Sequence, residues 1–519
     1  MITHTSTSLL FIRLSIILLQ YAPLIESSLL VLAWSNRHTL PHSNLFISIL
    51  AVLLSTEIAF AVLIYRPHKS RLLRLAEHPP PLSRTDRKVL FAKCIANIPA
   101  WERYLQLWFL GADLSEIKRE NVRDFLLWAF FDRDCTGLVS KEDEEEIQGY
   151  LRQVEGLLGR SIPPGRGAAT PLRLTIDGIP IRYRSVIWYG IVGIVDLGTH
   201  AVLRSHGFVY HRPEPTVGKV HVFPPAAVSH TIHQLAGKPR VSPSSTLGYW
   251  YRPHRSKTHL PVVFLHGIGV GLFPYTDFLS ALSHSGDEQI GILALELLPI
   301  SARLTAPPLS RPDFLTELTA ILAAHSPEWD RFVLVSHSYG SVLTTHILRS
   351  DELAPRVHAV VMVDPVSVLL HLPDVAYNFT RRRPTTANEW QLWYFASMDV
   401  GVAGVLGRYF FWRENIIWRE ELVNIGGKAG GKRKAAACLS GKDLIVDTRT
   451  VARYLATEGD FADVPDKDVF DVGRFQDFVG PAGVEILWFP EMDHAQVFEN
   501  RNESSRVVEL VRRYCQVRP

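Results

Sequence analysis

From residue 261 onward, short β-branched apolar runs alternate with helical patterns, and this alternation leaves few folds open. The runs are 261–265 (PVVFL), 290–298 (IGILALELL), 331–336 (RFVLVS) and 357–364 (VHAVVMVD), with helix-patterned sequence at 313–324 and from Ser338 to about Leu348. Strands that read as continuous apolar runs are buried on both faces. The pattern therefore predicts βαβ units around a largely parallel sheet, an α/β fold. In such sheets reactive groups gather beyond the carboxyl ends of the strands.

Chemistry-bearing residues fall at those ends. Ser336-His337-Ser338-Tyr339-Gly340 follows the run 331–336 and opens a helix. A strand, a sharp turn and a helix around a serine form a nucleophile elbow, with Ser336 where G-x-S-x-G has its first glycine; serine is small enough for that position. A neutral hydroxyl is a weak nucleophile and needs a base, itself held by a carboxylate. In chain order the acid and then the histidine follow the serine in this arrangement. His494, in Glu491-Met-Asp493-His494-Ala495 after the run 484–490 (VEILWFP), is the expected base. Asp443, in Ser440-Gly441-Lys442-Asp443 after Ala435–Leu439, is the favoured acid. Asp364, at the end of the run 357–364, is the alternative, Asp447 a weaker one, and Asp493 reads as a solvated neighbour of the base.

Acyl transfer also needs backbone donors for a developing oxyanion. Tyr339, at a helix N-terminus, and Ile268, in the turn His266-Gly267-Ile268-Gly269, are expected to supply their N–H groups. Gly267, Gly269 and Gly340 are the motif glycines, placed where backbone must approach backbone or substrate.

The set HGIG, SHSYG, SGKD and MDHA resembles the α/β-hydrolase superfamily over roughly residues 247–515. More narrowly, the apolar N-terminal hairpin, the HGIG turn and Asp364-Pro365-Val366 resemble membrane-attached α/β hydrolases of fungi that lack a defined activity. The resemblance implies an α/β-hydrolase fold and a triad of Ser338, Asp443 and His494, and leaves the substrate open.

The N-terminus carries a different signal. Residues 9–34 are apolar apart from interruptions at Arg13, Pro23 and Glu26, and residues 45–65 form a cleaner run with Glu57 as its one charge. About 20 apolar residues cross a bilayer as a helix, so both are candidate spans. Arg66, Lys69, Arg71 and Arg74 follow the second run, which predicts an intracellular membrane protein with the remaining chain facing the cytosol. The sequons at Asn378 and Asn502 are then expected to stay unmodified. Four cysteines without a CxxC pair fit a reducing compartment and exclude a zinc site of that type. A third apolar stretch, 186–203, contains Asp196 and His200 and reads as a buried or interfacial helix.

These signals divide the chain into a membrane-anchoring segment (1–78), a helical accessory region and linker (79–245) and an α/β-hydrolase domain (246–519) with a cap at about 366–434. The tract 211–245 reads as linker, and the aromatics of 85–131 as core. Asp132, Asp134, Thr136, Ser140 and Asp143 sit at calcium-loop spacing with Gly137 at the sixth position. The twelfth is Asp rather than the longer Glu, and no second loop pairs with it, so a polar helix connection is favoured over a metal site. No cofactor motif occurs. A net charge of +3 from 55 basic and 52 acidic residues gives no footprint for nucleic acid. The cap holds Trp390, Trp393, Tyr394, Phe395, Tyr409, Phe410, Phe411, Trp412 and Trp418. Such a wall suits an apolar substrate. The reading favoured is a membrane-associated serine hydrolase (esterase or lipase type) acting on a hydrophobic ester, lipids included. An acyltransferase with the same triad and a non-catalytic membrane scaffold are the alternatives.

Overall fold

The computed structural model describes residues 5–38, 43–75, 77–134, 136–213, 222–224, 240–285, 288–426, 430–458, 478–480 and 482–517. Cys135 and most of the expected linker 211–245 lie outside these residues. The continuous apolar runs fold as the strands of one ten-stranded sheet. In chain order they are β1 (Val209–Arg212), β2 (Arg240–Val241), β3 (Gly248–Arg252), β4 (Val262–Leu265) and β5 (Ile292–Glu296), followed by β6 (Phe332–His337), β7 (Val357–Val363), β8 (Lys434–Ser440), β9 (Phe478–Val479) and β10 (Val484–Phe489). Their order across the sheet is β9-β10-β8-β7-β6-β4-β5-β3-β1-β2. The six strands from β10 to β5 run parallel, with Phe264 of β4 level with Val335 of β6 and Ala294 of β5. Every residue of β4 and β5 is buried apart from a trace of Glu296. A sheet covered on both faces requires this. Val209–Arg212, whose last two residues fall in the expected linker, instead pairs antiparallel with β3 and extends the sheet.

The connection from β7 to β8 holds a set of short helices, from Pro373–Thr380 to Arg419–Val423, at the place expected for the cap. Its aromatics are spent partly on packing. Tyr394 is fully buried, and Trp390, Trp393 and Phe395 pack with it against Ile12 and Ile16 of the first helix.

Three N-terminal stretches behave differently from the sheet. The expected span 9–34 is not one straight helix. It breaks at Tyr21 into α1 (Ser6–Gln20) and α2 (Ala22–Ser35), bent by 69°. Pro23 sits in the first turn of α2, where a missing N–H costs nothing, and so starts a new helix rather than continuing the old one. α1 lies on the cap through Ile12 and Ile16, while Leu10, Phe11, Leu14, Ile17 and Leu18 face outward. α3 (Asn44–Leu72) is 29 residues long and holds an 18-residue window of mean hydropathy 2.4, long and apolar enough to cross a membrane. Its single acid is buried: Glu57 accepts hydrogen bonds from Tyr183 Oη (2.6 Å), Ser185 Oγ (2.8 Å) and the Val186 amide (3.0 Å).

α4 (Val186–Ser205) also meets the length and hydropathy requirement for a span. Its ionisable face is turned toward the sheet domain, where Asp196 pairs with Arg303 at 2.7 Å, and Ile187, Ile191 and Ile194 line the exposed side. That one-sidedness fits a helix bridging the apolar region and the sheet. The helices of 84–158 pack around their aromatics, with Phe91 stacked on Tyr150 at 3.9 Å. The acids of the calcium-like loop are already paired: Asp132 with Arg413, Asp134 with Arg173, and Asp143 with Arg87 and Arg133. Arginine partners at all three leave the polar-connection reading in place.

Candidate functional site

At the carboxyl end of β6 the chain turns so sharply that Ser338 adopts φ +50°, a left-handed conformation uncommon for a residue with a side chain. The helix Gly340–Leu348, α5, begins two residues later. The turn depends on the small residues around it. A Cβ at Gly340 would lie 2.3 Å from the Leu265 carbonyl oxygen, and one at Gly267 would lie 2.6 Å from His337 Nδ1 and 2.8 Å from Ser338 Cβ. Gly269 meets nothing within 4 Å, so packing does not demand it. Ser336 is fully buried and accepts a hydrogen bond from Thr344 Oγ1 at 2.9 Å, which ties strand to helix.

Residues far apart in sequence meet above this turn. His494, in the loop after β10, has Nε2 2.9 Å from Ser338 Oγ and Nδ1 2.7 Å from Asp443 Oδ2. Asp443, in the loop after β8, is fixed by accepting the Ile445 and Val446 amides at 2.7 and 2.9 Å. In the neutral ring Nδ1–H donates to the carboxylate, which leaves Nε2 free to accept from the serine hydroxyl. Burial disfavours the charged ring. The charge and hydrogen bond of Asp443, then the charges of Asp364 and Asp493, overcome that and hold His494 up at about 9.

Asp364 does not touch the imidazole. Fully buried, its Oδ1 accepts the Ser440 amide (2.8 Å) and its Oδ2 accepts Ser440 Oγ (3.0 Å) and the Ala495 amide (3.1 Å). It thus ties β7 to the ends of β8 and of the histidine loop. Burial, reinforced by the charge of Asp443, pushes its carboxyl up to about 7. Asp447 caps the helix Thr448–Ala456. Asp493, expected in solvent, is buried: Oδ1 accepts the His494 amide (2.7 Å) and the Leu444 amide (2.9 Å), and Oδ2 accepts Asn388 Nδ2 (2.8 Å). Its identity could be read beside His494, but its partner Asn388 lies 105 residues upstream in the cap.

The His266–Gly269 turn faces the elbow from β4. His266 is buried and held low, at about 4, chiefly by burial, so it is neutral; Nδ1 meets the Gly267 carbonyl at 2.7 Å and Nε2 accepts the Leu297 amide at 2.9 Å. Tyr275 Oη accepts the Gly267 amide (3.2 Å) and meets His337 Nδ1 (2.8 Å), a brace that only the three-dimensional structure reveals. Gly269 N–H is taken by the Ile300 carbonyl, whereas the amides of Ile268 and Tyr339 have no protein acceptor among the described residues. Ligand atoms of Asp364, Asp443 and His494 lie within 4.8 Å of one another, close enough for a cation. The hydrogen bonds above already use His494 Nδ1, Asp443 Oδ2 and both Asp364 oxygens, which favours proton handling over metal binding.

Residues 262–501 match the alpha/beta hydrolase family model. No curated protein matches the chain. Among solved structures, similarity is found to a membrane phospholipase A described as a bacterial virulence factor (11% identity over 63% of this chain and 93% of that one, TM-score 0.35). It extends to naproxen esterase from Bacillus subtilis (13%, 62% and 98%, TM-score 0.34) and to a carboxylesterase from Bacillus subtilis (12%, 61% and 97%, TM-score 0.31). At these identities and TM-scores the likeness carries no functional weight.

Proposed function

Starting from a chain whose residues 262–501 match the alpha/beta hydrolase family, we propose that it is a membrane-associated serine hydrolase that cleaves hydrophobic carboxylic esters, lipids included. The observation that carries this reading is the continuous relay of Ser338 Oγ, His494 and Asp443 at 2.9 and 2.7 Å. As the Ser338 oxygen attacks the ester carbonyl, His494 Nε2 takes the hydroxyl proton and Asp443 stabilises the imidazolium. The tetrahedral oxyanion is received by the amides of Ile268 and Tyr339, neither committed elsewhere. His494 then returns its proton to the departing alcohol, leaving an acyl-enzyme. Water, deprotonated by the same imidazole, releases the acid.

The apolar helices support the membrane part of the proposal. α3 and α4 meet the length and hydropathy of a span, and most of the large apolar side chains exposed on the described surface lie on α1–α4. In water such a surface is a liability; in lipid it is the solvent-facing side. The hydrolase domain is proposed to stand on the cytosolic side, where the basic run after residue 65 would lie. The two regions touch: Phe60, Trp188 and Tyr189 from the helices form one cluster with Ala302, Leu304 and Val400, and Val270 next to the oxyanion turn packs on it. The contact lies beside the oxyanion turn, the side from which a bilayer-dissolved substrate is proposed to approach Ser338.

The test is a lipid-extract incubation of the membrane-reconstituted protein and of Ser338→Ala, followed by mass spectrometry. Free acid released by the wild type and absent with Ser338→Ala is the expected result. If an added alcohol acceptor captures all the acyl groups and no free acid forms, the chain is an acyltransferase instead.

A further inference from the structure

We propose that Asp493 and Asn388 are positioning residues for the base, linking the cap to His494 by hydrogen bonds; this rests on the proposed serine-hydrolase reading. The geometry is specific. One Asp493 oxygen accepts both the His494 amide (2.7 Å) and the Leu444 amide (2.9 Å), so a single atom fixes the loop carrying the base and the loop carrying its acid. The other oxygen accepts Asn388 Nδ2 at 2.8 Å. Asn388 sits in the cap helix Ala387–Leu392, α6, whose own start is fixed by a capping box between Thr386 and Glu389. The Asp493 amide in turn donates to Gln496 Oε1 at 3.0 Å, closing the turn around His494.

A carboxylate buried with every oxygen engaged in this way is costly to keep unless the geometry it imposes is needed. Its neighbours explain the need. The groups around the imidazole are Asp443 on Nδ1, Ser338 on Nε2, Asp364 through the Ala495 amide, and His337, whose ring centroid is 5.2 Å away. None of these holds the His494 backbone amide; Asp493 does. The cap enters because Asn388 is the polar group on the far side of Asp493. Its Oδ1 is buried with no hydrogen-bond partner among the described residues. The amide can therefore turn over and offer an acceptor if Asp493 is replaced by an amide.

That property separates charge from shape. In Asp493→Asn the new side chain still accepts both backbone amides and donates to a flipped Asn388, so the loops stay in place while one negative charge beside His494 is lost. In Asn388→Ala the charge stays and the restraint from the cap is lost. The experiment follows the second-order rate of Ser338 labelling by a soluble fluorophosphonate, from pH 5 to 10, on membrane-reconstituted protein. Asp493→Asn is expected to move the midpoint of the pH–rate curve to lower pH with little change in its plateau. Asn388→Ala is expected to lower the plateau about tenfold, as for loss of a hydrogen bond to a charged group. Unaltered midpoint in Asp493→Asn together with unaltered plateau in Asn388→Ala overturns the proposal while leaving the serine-hydrolase reading intact. A wild type that is not labelled at all overturns that reading, and this one with it.

Discussion

The sheet domain and the N-terminal helices are both rich in apolar residues, yet they dispose of them in opposite directions. In β4 to β8 the apolar side chains point into cores on either face of the sheet and are almost wholly buried. In α1 to α3 they form outward stripes: Leu10, Phe11, Leu14, Ile17 and Leu18 on α1, and Leu45, Phe46, Ile49, Val52 and Leu53 on α3. A hydrophobic run thus carries two different instructions. A run of five or six apolar residues bounded by turns is satisfied by its own chain, whereas helices this long leave apolar faces exposed, the surface that the proposed membrane association would cover. The polar groups follow the same division. At the strand ends they converge on Ser338, and in the helices they are turned inward, Glu57 onto Tyr183 and Ser185, and Asp196 onto Arg303.

If the two regions do separate jobs, each can be broken without the other. The largest expected effect is on the strand-end site. Asp443→Asn leaves the ring without the acceptor that sets its tautomer, and labelling of Ser338 should fall by about 10⁴-fold while membrane partitioning, followed by flotation with vesicles, stays as in the wild type. Next is the helix surface. Val52→Lys places a charge on the exposed face of α3, at about 2.5–3.5 kcal/mol near a bilayer centre. Vesicle binding should weaken by about a hundredfold, with the labelling rate by a soluble probe unchanged. A parallel loss of both properties would mean that the anchor and the site are one cooperative unit.

Smaller effects sharpen the picture within the site. Asp364→Asn removes a carboxylate near the base and keeps an acceptor for one of the Ser440 and Ala495 amides, which sit on different oxygens. The labelling rate should drop by no more than about tenfold, against the far larger loss for Asp443→Asn. A reversal of that order would make Asp364 the acid. The pH dependence of stability gives the smallest signal. His494 is held at about 9 in the folded protein against 6.5 for a free histidine. A group raised on folding adds stability that is complete below about pH 6.5 and is lost as the pH climbs through 9. Thermal melts from pH 6 to 10 should therefore decline more steeply for the wild type than for His494→Gln. The labelling rate should climb over the same range, since only the neutral ring accepts the serine proton.

Much of this was legible in the residues. Continuous apolar runs located the parallel strands, because a sheet buried on both faces has no polar side to disguise it. The elbow Ser336–Gly340 could be read because the turn admits only small residues two positions either side of Ser338, and the chemistry needs a base and an acid later in the chain. Other features depended on contacts that sequence spacing does not encode. Asp493 looked like a surface neighbour of His494, because Asn388, the partner that buries it, arrives from the cap. The break at Tyr21 was marked by Pro23, but the packing of α1 on the cap through Ile12 and Ile16 was not. Val209–Arg212, with Tyr, His and Arg among four residues, lacks the apolar run of a strand and joins the sheet through its pairing with β3.

The account stands most directly on one covalent adduct. Membrane-reconstituted protein treated with a fluorophosphonate and digested for peptide mass spectrometry should carry a single phosphonyl group on Ser338. Protein bearing Ser338→Ala should carry none. A wild type that remains unmodified, or a modification that persists in Ser338→Ala, would contradict it.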